Sequence, residues 1–310
     1  MVTPFPYSLD NKRYHTLYFH LRQRFPHRVG KAAVDGGFTC PNLDGSRGRG
    51  GCSYCRSGGA GFAPTPAPSP REQAERELRR LRRKWPNAGA VAYFQAHTNT
   101  YAPAARLRAL YEEALSVPGI CGLSVATRAD CLPGETLSLL EELNGRTFLT
   151  VELGLQTIHE ETARRINRCH SYEEFLDAYR ALARRGIRVC VHLINGLPGE
   201  TAEMMLETAR AVGRLRPGGV KLHLLHVLQG TPLAEEWRQG RLPVMEKDEY
   251  IDMVCRQLEV FPPETVMERL TGDGPREYLL APLWSRDKIS VLGGIDQALA
   301  RRDTWQGRLF

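Results

Sequence analysis

A chain of 310 residues has room for one large barrel or two modest domains, and for a real buried core. Hydrophobic residues at 42% and charged residues at 25% are ordinary for a soluble globular enzyme, and no window reaches the run of about 18 apolar residues that crosses a bilayer. The net charge of +7 suits an anionic partner such as RNA, yet only six of the 42 basic residues are lysines, an arginine bias that genomic base composition also produces.

Residues 1–27 read as an N-terminal extension with an aromatic-rich helix around 14–25. Its opening MVTPFPYSLDNKRYHTLYFH holds no apolar stretch of the secretory-signal type, so the expected location is the cytoplasm and the eight cysteines are expected to stay reduced. From 28 to 240, β-like runs at 28–34, 90–95, 122–127, 147–155, 187–195 and 220–227 alternate with helix-like segments. Residues 58–70 are rich in Gly, Ala and Pro and read as a loop; Ser69, Pro70 and Glu72 then mark a helix start. Ser171 with Glu174 opens a second helix, which stops at Gly186. Six β/α units with connections of this length imply a parallel sheet with right-handed crossovers. Six strands are too few to close an eight-stranded barrel, so the predicted fold is α/β, an open (β/α)6 partial TIM barrel over 28–240. Residues 241–310 form a C-terminal extension packing on it. Ligands of such sheets sit at the carboxyl ends of the strands.

Three cysteines crowd directly after the first strand, in VDGGFTCPNLDGSRGRGGCSYCRSGGAGF, at Cys40, Cys52 and Cys55. Closely spaced thiolates are soft ligands for zinc or for an iron–sulfur cluster. The glycines at 45, 48, 50 and 51 let the backbone approach closely. Three ligands are more informative than four, because a four-iron cluster then keeps one iron open, as an open position marks a catalytic zinc site. The alternative is a structural zinc ion closed by His20 or His27, although no His or fourth Cys follows at a familiar spacing. Cys121, Cys131, Cys169, Cys190 and Cys255 are scattered and read as core or incidental thiols.

Chemically unusual residues recur at the ends of the later strands. QAHTNT follows the second, with Gln95 and Thr98. The third ends in TRADCL. In the fourth, Leu149, Val151, Leu153 and Leu155 share one face, which puts Glu152, Gly154 and Gln156 on the other, where a carboxylate and an amide need polar partners. Arg168 follows twelve residues after Gln156, and the fifth strand runs into HLINGLPGET with Asn195 and Gly196. In the sixth, alternation places Lys221 and His223 on one face and His226 on the other, the first two toward a cavity or in the core. The basic run 76–84 reads mainly as a solvated helix face, with contact to RNA phosphates as the second reading.

With these motifs in place the sequence resembles radical S-adenosylmethionine (SAM) enzymes of the YhcC/YtqA (MnmL-type) family and, more distantly, the elongator catalytic subunit. VDGGFTCPN, GRGGCSYC, TNTYAP, ELGLQT, INGLPGET, RLTGDGP and LAPLWSRDK carry the resemblance over almost the whole chain, including the wide eleven-residue first cysteine spacing. TRADCL departs from the family's TRPD form at Ala129, and QAHTNT departs from the Gly-rich turn usual there. The resemblance implies a radical SAM partial barrel with a [4Fe–4S] cluster on Cys40, Cys52 and Cys55, its free iron chelating SAM. It implies SAM contacts from Tyr54 in CSYC, from Gln95 and Thr98 to the ammonium, from Glu152 and Gln156 to the ribose, from Arg168 to the carboxylate, and from Asn195 and Gly196 to the adenine. It also implies tRNA as substrate, modified on the C5 side chain of the wobble uridine, with a flavodoxin or ferredoxin as electron donor and no membrane partner. A radical SAM enzyme acting on a protein or small molecule is the alternative. A non-catalytic metal-bearing RNA-binding module is a third reading.

Overall fold

The inward and outward faces of the strands have opposite chemistry, and this places the site. In the computed structural model, which describes residues 5–8, 10–56, 69–95, 97–272 and 274–310, the strands are β1 (Val29–Val34), β2 (Gly89–Phe94), β3 (Ile120–Arg128), β4 (Phe148–Gln156), β5 (Arg188–Asn195), β6 (Gly219–Leu224), β7 (Val227–Leu228), β8 (Val266–Arg269) and β9 (Leu279–Ala281). Seven form one parallel sheet in the order β1-β2-β3-β4-β5-β6-β8, and β7 pairs antiparallel with β9. Outward side chains such as Val34, Phe94, Leu123, Val125, Leu149, Val151, Leu153 and Val191 are buried in the main core, each worth about 1.5–3 kcal/mol of hydrophobic stabilisation. The face turned into the curl carries Lys31, Tyr93, Ser124, Glu152, His192 and Lys221, bonded to one another.

The described residues form ten helices: α1 (Leu17–Arg24), α2 (Pro70–Lys84), α3 (Ala104–Leu115), α4 (Gly134–Asn144), α5 (Glu160–Arg165), α6 (Tyr172–Ala183), α7 (Ala202–Arg214), α8 (Pro232–Arg238), α9 (Lys247–Val260) and α10 (Lys288–Arg301). The start signals act as read. Ser69 Oγ accepts from Glu72 N at 3.2 Å with Pro70 in the first turn, and Ser171 and Glu174 form a reciprocal box at α6. Of the predicted 58–70 loop, residues 58–68 lie outside the described residues, as do Ala96 of QAHTNT and Asp273 of RLTGDGP.

Two expectations change. The partial barrel has a seventh strand, β8, supplied by the C-terminal segment; it pairs with β6 and is bridged at Met267 to Thr16 from the N-terminal segment. Four residues, VMER, are too short a run for alternation to reveal. The sixth strand also ends at Leu224 rather than at 227, and the chain turns before β7 begins. That break resets the phase of the alternation, so His226 lines the same cavity as His223 instead of pointing away. Among the described residues β1 and β8 are not paired, so the sheet stays open.

Candidate active site

After β1, residues 35–55 run across the carboxyl ends of the strands. Thr98 N donates to Thr39 O at 3.2 Å, Ser53 N to Ile166 O at 2.9 Å, and Leu233 N to Ser53 O at 3.2 Å. The loop is clamped by the turn after α5. Asn167, at φ +53°, donates through Nδ2 to Arg49 O at 3.0 Å and Gly51 O at 2.8 Å. Asn42 Nδ2 donates to Asn167 O and stands 3.6 Å from Cys52 Sγ. Gly48 is required for this closeness, because a Cβ there would lie 2.1 Å from Asn42 Oδ1 and 2.7 Å from Cys169 Sγ.

Cys40, Cys52 and Cys55 line one cavity of about 370 Å³, within the size range of small-molecule sites. The Cys52 thiol is pushed down to about 6 by the hydrogen bond from Cys55, against the opposing effect of burial, with help from the Arg128 guanidinium and from Tyr54 and Asn42. Cys55 moves the other way, since it shares that bond and faces the Cys52 charge in a buried setting. Of this pair, Cys52 is the thiol that its surroundings make more readily a thiolate. The zinc alternative loses its fourth ligand. His20 lies against Phe148, the first residue of β4, and His27 abuts Gly89, the first residue of β2, so both occupy the amino ends of the strands. Among the described residues, no three His, Cys, Asp or Glu side chains converge as a site for a single ion.

Of the remaining candidates, Tyr54, Gln95, Thr98, Glu152, Gln156 and Arg168 line the cavity with the cysteines. Gln156 adopts φ +65° and folds its amide over Gly154, where a Cβ would lie 2.7 Å from Nε2. Arg168 is 1% exposed. Its Nε donates to His170 O at 2.9 Å, and its Nη1 donates to Leu155 O and Thr157 O, each at 2.6 Å. Nη2 has no hydrogen-bond partner among the described residues, and Glu160 Oε1 stands 3.9 Å away. One edge of a buried guanidinium is therefore left for an anionic group.

Two expectations need correction. Glu152 does not wait for ribose hydroxyls: Oε1 accepts from Lys31 Nζ at 2.5 Å and Ser124 Oγ at 2.6 Å, and Oε2 from His192 Nε2 at 2.8 Å and from Lys221 Nζ. Asn195 exchanges two hydrogen bonds of 2.8 Å with Gln257 of α9 and turns from the cavity, and Gly196 lies beyond the lining, with its N–H on Met205 Sδ at 3.2 Å; Ile194 lines the cavity from this strand instead. Of the two places open to it, Lys221 takes the core, 2% exposed and ion-paired to Glu152, while His223 lines the cavity.

Other lining residues escaped the sequence. Arg128 pairs with Asp130 through bonds of 2.9 and 2.8 Å and donates to Arg168 O at 2.9 Å. Register aligns Arg128, Gly154, His192, Lys221 and Arg269 across five adjacent strands, so His192 and Arg269 follow from the pairing. Strand phase could have found Tyr93, two residues before Gln95, and His192. Arg269 required the unread strand β8.

Burial would raise the Glu152 carboxyl, but Lys221, Lys31 and the His192 hydrogen bond hold it well below the usual range; Glu268, paired with Lys31 at 3.0 Å and Arg188 at 2.6 Å, is likewise depressed. His192 is pushed down to about 4 by burial and then by Lys221, and His170 to about 4 by burial and then by Arg168. An unfolded chain takes up protons at these histidines near 6.5 while the folded chain does not. Their contribution to stability is therefore complete above that pH and is lost as pH falls toward about 4, where protonation of the depressed carboxylates, near 4.5 in the unfolded chain, adds to the loss. The thermal midpoint is expected to decline steadily across this window in calorimetry. A flat profile would show that these groups do not govern acid stability.

The donor set fits the implied group: three thiols around a shared cavity, an amide beside Cys52, and an uncommitted buried Arg168 N–H. Residues 45–212 match the family described as Radical SAM superfamily, and 217–301 match the Radical_SAM C-terminal domain. YtqA of Bacillus subtilis is 48% identical over 308 residues, covering 99% of this chain and 96% of its own. Protein YhcC of Escherichia coli K12 is 38% identical over 280 residues, 90% of each chain. Elongator complex protein 3 of Homo sapiens is 30% identical over 158 residues, which is 50% of this chain and 28% of that longer protein. The archaeal Methanocaldococcus infernus Elp3 with an N-terminal deletion shares the fold, at a TM-score of 0.68 and 19% identity, over 90% of this chain and 64% of its own.

Proposed function

The chain belongs to the radical SAM superfamily, and on that premise we propose that it modifies the C5 side chain of the wobble uridine of tRNA. It uses a [4Fe–4S] cluster and SAM. When bound, the cluster supplies the electron that cleaves SAM to a 5′-deoxyadenosyl radical. Cys40, Cys52 and Cys55 hold the cluster, and Asn42 beside Cys52 adds a hydrogen bond of the kind that tunes its potential. Arg168 holds the SAM carboxylate through Nη2, while Tyr54, Gln95, Thr98 and Gln156 orient the rest of the molecule. The other part of the lining, with Tyr93, His192, His223, His226 and Arg269, receives the nucleobase.

The observation that carries this reading is the convergence of GRGGCSYC and ELGLQT, two of the motifs that carry the resemblance to YhcC/YtqA and the elongator catalytic subunit, on a single cavity. The net charge of +7 accords with a polyanionic substrate. We place the activity in the cytoplasm, with a flavodoxin or ferredoxin as reductant; no described helix is long and apolar enough to cross a membrane. The test is mass spectrometry of tRNA nucleosides from cells lacking the protein. A C5-modified wobble uridine is expected to disappear and its precursor to accumulate, and binding of that tRNA is expected to weaken steeply with salt. An unchanged nucleoside profile would remove tRNA as the substrate.

A further inference from the structure

A carbon radical formed in this cavity must be quenched, and the lining offers few hydrogen atoms more weakly bound than those of an aliphatic C–H. Among the described lining residues the thiols are the three cluster ligands, and the phenols are Tyr54 and Tyr93. Cys121, Cys131, Cys169, Cys190 and Cys255 lie outside the lining. Tyr54 stands between two of the ligands in sequence and packs on the apolar cluster of Ile166, Leu225 and Leu233. Tyr93 is set apart, at the end of β2 and inside the curl. Lys31 Nζ and Lys221 Nζ each lie 4.6 Å from its ring centroid, and Lys221 Nζ donates to its hydroxyl oxygen at 3.3 Å.

We propose that Tyr93 is a catalytic residue that delivers a hydrogen atom to the carbon radical formed in this cavity. In the step the phenolic O–H breaks and a C–H forms. Proton and electron leave Tyr93 together, and a neutral tyrosyl radical remains. One electron from the reductant that serves the cluster and one proton from Lys221, replaced from solvent, restore the phenol. The surroundings favour this over loss of a proton alone: burial holds the Tyr93 hydroxyl well above the ordinary phenol range, so the O–H is intact at working pH. Lys221 Nζ, ion-paired to Glu152, stands at hydrogen-bonding distance to return the proton.

The inference rests on superfamily membership and not on the identity of the substrate, and its test omits tRNA. Reconstituted holoenzyme is reduced with dithionite in D2O with SAM alone, and the released 5′-deoxyadenosine is weighed by mass spectrometry. The phenolic hydrogen exchanges with solvent, so wild type is expected to release singly deuterated product. Tyr93→Phe is expected to lower the deuterated fraction several-fold while still cleaving SAM. An unchanged fraction in Tyr93→Phe, whatever its overall rate, would overturn the assignment. A second measurement stands even if that variant does not fold. The freeze-quenched wild type made with ring-deuterated tyrosine is expected to show a narrowed radical signal, and an unaltered spectrum would refute the proposal.

Discussion

Cys52→Ala is expected to give a folded but colourless protein that fails to bind iron and releases no 5′-deoxyadenosine from SAM. The Cys52 thiol is pushed down to about 6, first by the hydrogen bond from Cys55, and Asn42 Nδ2 stands 3.6 Å from its Sγ. Its removal leaves two thiols, which hold a four-iron cluster at only two corners. Loss of groups that merely support a metal ligand already costs about 10–100-fold in affinity or activity, and loss of the ligand itself is expected to exceed that. Anaerobic reconstitution with iron and sulfide, followed by iron analysis and the SAM cleavage assay, reads the outcome. Cys255→Ala, buried between α9 and α10, is the control and is expected to remain brown. Equal iron content in both variants would mean that residues 40–55 do not hold the cluster.

Glu152→Gln is expected to cost about 3–5 kcal/mol, the loss typical of breaking a buried ion pair from one side. The substitution keeps the shape of the side chain but strands Lys221, which is 2% exposed, and leaves Lys31 with Glu268 as its remaining carboxylate. An ammonium without a counter-charge in the barrel has to be hydrated or deprotonated. Removing the charge of Lys221 as well, in Glu152→Gln/Lys221→Met, is expected to recover part of the loss, because a pair replaced by neutral groups of similar volume is often tolerated. Urea titration of both variants measures the effect. A loss below about 1 kcal/mol in Glu152→Gln would place the charge network among interactions of surface strength.

The large features were legible because they repeat or cluster. Alternation in β4 alone assigned Glu152, Gly154 and Gln156 to one face, and the crowding of Cys40, Cys52 and Cys55 after β1 singled out a loop whose three thiols line one cavity. Partners contributed by distant segments could not be read the same way. Glu152 finds Lys31 and Lys221 at sequence separations of 121 and 69 residues, so its role as a structural anion is a property of the curled sheet. Asn195 looked like a ligand contact until Gln257, 62 residues on, took up its amide. Arg269 sits in a four-residue strand whose signatures are its pairing with β6 and the bridge to Thr16, both made by distant segments. His226 was misplaced because periodicity assumes that a strand continues, and β6 had already ended.

The clamp on the cysteine loop also constrains the timing of assembly. Residues 40–55 are synthesised early, but Asn167, which fastens Gly51, comes 116 residues later, and Leu233, which bonds to Ser53, later still. A nascent chain that has exposed all three thiols therefore still lacks the surfaces that shape them into a site. Contacts of such sequence separation form late and slowly. A cluster delivered before about three-quarters of the chain has emerged would meet an open, exchangeable set of thiols. Productive loading is thus expected of the chain only after Asn167 and Leu233 have joined the loop, and partial products of translation are expected to be poor acceptors of iron.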